Sequence, residues 1–91
     1  MKLVINKCFG GFGISKAAAE ILKIDAVFDF VDRDDKNLIA LIEERGSEFC
    51  SSRFAKLRVI EIPDSTTDYV IDEYDGMERV IYVLNGKLHF A

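Results

Sequence analysis

The sequence predicts an α+β domain in which two helices pack on a mainly antiparallel sheet of about five or six short strands. Three observations predict it. The first third alternates β-branched runs with helix-period segments. The last third is almost wholly strand-like, and its connections are too short for the crossovers that parallel pairing needs. Two dipeptides, Asp75-Gly76 and Asn85-Gly86, are strong signals for two-residue hairpin turns. The N-terminal half also admits an α/β arrangement.

The elements follow in chain order. Lys2–Asn6 is a short β-branched run and reads as the first strand. Three glycines, Gly10, Gly11 and Gly13, then break the pattern among Phe9 and Phe12. Ser15 is placed to cap a helix through Leu22, with Ile14, Ala18, Ile21 and Leu22 on one face. Ala26–Val31 reads as a second strand, aromatic and β-branched. The acidic turn Asp32-Arg33-Asp34-Asp35 supplies a cap for a second helix over Lys36–Arg45. Leu38, Leu41 and Ile42 form its core stripe, and Gly46 is its stop. Beyond Lys56 the reading is all strand: Leu57–Ile62, Asp68–Ile71, Arg79–Leu84 and Lys87–Phe90. No repeat, linker or low-complexity segment divides residues 1–91, which are expected to form one domain.

Composition bounds the function. The 91 residues are 49% apolar and 31% charged, which is a globular balance and not that of a disordered chain. No apolar run approaches the length of a membrane span. The N-terminal apolar stretch is too short for a secretory signal, so the expected location is intracellular. Twelve Lys and Arg against 16 Asp and Glu leave a net charge of −4, which argues against direct nucleic-acid binding.

That charge is unevenly distributed. Residues 61–78 carry Glu61, Asp64, Asp68, Asp72, Glu73, Asp75 and Glu78 and no Lys or Arg. Such a stretch is either a set of solvated turns or an acidic face for a basic partner. On the second reading Asp64, Asp68, Asp72, Glu73, Asp75 and Glu78 are the partner-binding residues.

Other constellations are weaker. Gly10, Gly11 and Gly13 lie between a strand and a helix, where backbone N–H groups can hold phosphate, with Lys7 or Lys16 as the cation. The loop has neither the P-loop lysine motif nor the third glycine of the dinucleotide fingerprint. Phe9, Phe12, Phe49 and Phe54 are mostly expected in the core, leaving one or two as binding anchors. Cys8 and Cys50 read as free thiols, as a disulfide formed on air oxidation, or as candidate ligands of a structural zinc, although paired-cysteine spacing is missing. No catalytic residue is assigned, and His89, the one histidine, has no nucleophile-elbow partner.

Three blocks, Val4–Ser15, Phe54–Asp64 and Ile71–Glu78, resemble in order and separation a family of small proteins encoded by phages and prophages of Gram-positive bacteria. They cover about a third of the chain, and the tail Tyr82–Phe90 departs from the family's pattern. The resemblance implies a phage-encoded protein at work in the cytoplasm of a bacterial host. Together with the acidic stretch, it suggests an anti-CRISPR-like inhibitor that occupies a basic nucleic-acid surface of a host defence nuclease, of Cas9 type by preference. The alternatives are a small nucleotide- or phosphate-handling enzyme built on the glycine loop, or a structural phage protein. A monomer or small homo-oligomer fits each of these.

Overall fold

A computed structural model describes residues 1–26 and 31–91. The first strand, β1 (Lys2–Asn6), pairs antiparallel with β2 (Leu57–Glu61) in the register Val4↔Val59. β3 (Asp68–Tyr74), β4 (Met77–Leu84) and β5 (Lys87–Phe90) form a separate antiparallel meander. Among the described residues three helices complete the α+β fold: α1 (Lys16–Leu22), α2 (Lys36–Arg45) and the single turn α3 (Ser47–Cys50).

Local chemistry explains most boundaries. The Ser15 hydroxyl accepts the Ala18 N–H at 3.1 Å and caps α1, and Asp35 accepts the Leu38 N–H at 2.8 Å and caps α2. Gly46 ends α2 at φ 92°, a conformation costly for any residue with a Cβ. At the two hairpins Asp75-Gly76 and Asn85-Gly86 all four residues have positive φ, the geometry of the expected primed turns.

Among the described residues the expected single sheet is two sheets, because β1 has no edge left for the meander. One edge pairs with β2, and on the other Val4 donates its N–H to the Arg33 carbonyl at 2.7 Å. The meander therefore stacks on β1 instead of extending it. Residues 3–6 of β1 are all buried, so both its faces are covered. Val4 joins Ala18, Leu38, Leu41, Ile42, Cys50 and Leu57 in a core beneath the helices. Leu3 and Ile5 point the other way and meet Ile62 and Val80 in a second core beneath the meander. Burying each such aliphatic side chain stabilises the fold by about 1.5–3 kcal/mol.

One helix expectation changes, and one strand expectation falls outside the described residues. The strand expected over Ala26–Val31 has its centre, residues 27–30, outside the described residues. Ile21 is 48% exposed, and Ala18 and Ala19 supply the buried face of α1. No strand pair is parallel among the described residues. No described helix is long and apolar enough to cross a membrane.

Candidate functional site

Residues directly opposite in an antiparallel ladder share a face of the sheet. In the meander the register sets Asp68 with Val83 and Leu88, Val70 with Ile81 and Phe90, Asp72 with Arg79, and Tyr74 with Met77. The opposite face contains Val80 at full burial, with Tyr69, Ile71 and Tyr82 packed around the second core. The first set is consequently the outer face. It leaves large apolar side chains in solvent: Val70 is 57%, Tyr74 78%, Leu88 65% and Phe90 60% exposed. Arg79 spans this face, with its Nε 3.1 Å from an Asp72 oxygen and its guanidinium 4.9 Å from the Phe90 ring centroid.

The acidic stretch borders this face. Asp68 and Asp72 lie on it, and Glu73 and Asp75 are exposed at the hairpin end of the same strand. Asp64 is exposed in the turn before β3 and pairs with the Met1 amino group. The hydrogen bond and charge of that amine hold its carboxyl below the usual carboxylate range. Among the described residues β3 pairs only with β4, so its acidic outer edge is open.

Glu78 is not part of this surface. The strand alternation turns it inward, and its side chain is 7% exposed. Its two oxygens take the two terminal nitrogens of Arg33 at 2.5 and 2.8 Å, and one of them also accepts the Asn6 N–H at 2.8 Å. Arg33 in turn lies 3.7 Å from the Phe12 ring centroid. With both oxygens engaged by Arg33 and Asn6, Glu78 serves as an internal tie and not as a contact of the outer face, although its edge lines the cleft beside Lys7.

Asn6, fully buried, is the polar residue that sequence reasoning missed. Its amide donates to the Cys8 and Gly76 carbonyls at 2.6 and 2.7 Å, and its oxygen accepts the Lys56 N–H at 2.8 Å. A polar residue ending a buried strand was the available signal, because a buried amide needs partners.

The glycine loop is packed against protein. A Cβ on Gly10 would strike the Phe54 backbone, and one on Gly13 would strike Ser52. Gly11 holds φ 93° and lies against Gly76 of the β3–β4 turn. These glycines serve close backbone approach, and the Ser15 hydroxyl already caps the helix that follows. Phe9 and Phe54 are exposed beside the loop, whereas Phe12 and Phe49 pack on the first core. A cleft of about 570 Å³ separates Phe9 and Lys7 from Tyr74, Glu73 and Met77.

Cys50 is buried and Cys8 half-buried, and both are free thiols. Burial pushes the Cys50 thiol up, opposed by the nearby Arg45 charge. No group of three or more His, Cys, Asp or Glu side chains converges among the described residues. His89 stacks on Tyr82, with centroids 5.3 Å apart. Comparison with protein-family models, curated proteins and solved structures finds no match to this chain.

Proposed function

We propose that this chain is a non-catalytic binding protein that docks on a basic protein surface through the outer face and acidic edge of the meander. One observation carries the reading: exposed Val70, Tyr74, Leu88 and Phe90 share a face with Asp68 and Asp72, while Glu73 is exposed on the other side of the same edge strand and Asp75 in its turn. An apolar centre with a charged rim is the usual anatomy of a protein interface. The apolar side chains supply contact area, while the carboxylates set orientation, association rate and choice of partner.

The resemblance to small phage proteins supports a partner class. A host defence nuclease of Cas9 type holds its guide and target strands in a positively charged channel. On this reading the carboxylates along β3 stand where nucleic-acid phosphates would sit, and the protein acts in the bacterial cytoplasm without touching nucleic acid itself. The phosphate-handling alternative draws no support from the glycine loop, where Gly10 and Gly13 pack against Phe54 and Ser52.

The test is inhibition of DNA cleavage by a purified guide-loaded nuclease, with binding measured against salt. Exposed charges are screened over about 8–10 Å at physiological ionic strength, so affinity should fall as salt rises. Reversing Asp68, Asp72, Glu73 and Asp75 to Lys should abolish inhibition, and Phe90→Ser should weaken it. Unchanged inhibition by the four-fold reversal would refute the reading.

A further inference from the structure

A second cleft, of opposite charge, runs along the outer edge of β2. Its volume is about 430 Å³, and Lys7, Lys56 and Arg58 line it with no carboxylate among them. Among the described residues none of the three cations is in an ion pair. Lys7 and Lys56 are neighbours across the ladder, the Lys7 N–H donating to the Lys56 carbonyl at 2.8 Å. Arg58 stands two residues further along the same strand. Unpaired cations held side by side repel one another, and an anion between them relieves that repulsion.

The strand edge adds a backbone contribution. Val4 and Asn6 donate their N–H groups away from β2, to the Arg33 carbonyl and to Glu78. Their ladder partners Val59 and Leu57 therefore turn their own N–H and C=O groups to the outer edge of β2. At Leu57 both groups are occupied: Ser51 Oγ accepts the N–H at 2.8 Å, and the Ser47 hydroxyl donates to the carbonyl. At Val59 they front the cleft, whose floor is completed by Ile42.

We propose that this cleft binds a phosphate-bearing small molecule of nucleotide size. The phosphate sits among Lys7, Lys56 and Arg58, and the flat apolar part lies over Val59 and Ile42. Guanidinium and ammonium groups together suit a phosphate dianion, the former through paired hydrogen bonds. The volume falls within the roughly 300–1,000 Å³ of small-ligand sites. An apolar floor favours a ligand with a ring system over bare phosphate. The site lies along β2 and not on the meander's outer face. Of its cations only Lys7 also borders the cleft beside the meander, so Lys56 and Arg58 test it independently of the proposed protein partner.

The experiment is titration of the ¹⁵N-labelled full chain with AMP, UMP, adenosine and inorganic phosphate. Saturable amide shifts at Lys7 and Lys56–Ile60 are expected with a nucleotide, at least about tenfold tighter than with phosphate or adenosine. The exposed double variant Lys56→Gln with Arg58→Gln should weaken nucleotide binding at least about tenfold and leave the rest of the spectrum in place. No saturable shift with either nucleotide up to about 10 mM would overturn the proposal. So would affinity no better than that of inorganic phosphate, which would mark an adventitious anion site only, or shifts confined to Gly10–Gly13.

Discussion

Arg33 and Glu78, 45 positions apart in the chain, meet through two parallel hydrogen bonds of 2.5 and 2.8 Å in the junction between β1 and the meander. The guanidinium packs on Phe12 from one side, and the carboxylate also holds the backbone of Asn6. One ion pair thus ties the segment before α2, the end of β1 and the start of β4. Removing one member of an enclosed pair costs more than the pair is worth, because the remaining charge stays desolvated.

Glu78→Gln should therefore lower unfolding stability by about 3 kcal/mol, measured by denaturant titration. Arg33→Met in the same background should add much less than it does alone. A coupling energy of at least about 1 kcal/mol in the double-mutant cycle is the expected result. Simple additivity would show that the pair contributes nothing specific. By contrast Asp72→Asn, at the half-exposed pair with Arg79, should change stability by less than about 1 kcal/mol.

The two hairpin glycines should respond unequally to alanine. Both have positive φ, 91° at Gly76 and 73° at Gly86, so each substitution carries a backbone penalty of about 1–2 kcal/mol. At Gly86 a Cβ meets nothing within 4 Å, and that penalty is the whole effect. At Gly76 the same Cβ would run into Gly11 N and Phe9 O, which are backbone atoms and cannot swing aside. Gly76→Ala should cost at least about 2 kcal/mol more than Gly86→Ala. Equal losses in thermal melts would show that the approach of the glycine loop to the hairpin is not a tight one.

Cys50 should report on opening of the first core. Its side chain is fully buried and its thiol pKa is raised above the ordinary 9.0 by desolvation. The unfolded chain gives up this proton first, so the contribution of Cys50 to stability is intact below about pH 9. It diminishes as pH rises from there toward the higher native value. With a thiol reagent at pH 8, Cys8 should react first, and Cys50 only as fast as the core opens. Two equal fast reactions in the folded protein would contradict the burial.

Much of the local structure was legible because it depends on near neighbours. Ser15 and Asp35 cap their helices three residues ahead, and Gly46 ends α2 one residue past it. Asp75-Gly76 and Asn85-Gly86 make hairpins because those four residues tolerate positive φ. The candidate site was legible in part. Asp68, Asp72, Glu73 and Asp75 are at the surface as their sequence pattern suggested. The apolar partners Val70, Leu88 and Phe90 were hidden within ordinary strand composition, since alternation does not reveal which face will be covered.

By itself, then, the sequence determined the α+β class, the helix caps, the hairpins and the acidic character of residues 61–78. Only the tertiary structure decided which of those seven carboxylates is enclosed, and it chose Glu78, whose partner Arg33 lies in another segment of the chain. It also decided that the glycine cluster serves close packing against Phe54, Ser52 and Gly76, and that β1 is covered on both faces by two separate layers. The division has one physical reason. Turn and cap preferences act over a few residues, whereas burial and charge pairing depend on where distant segments meet when the chain closes.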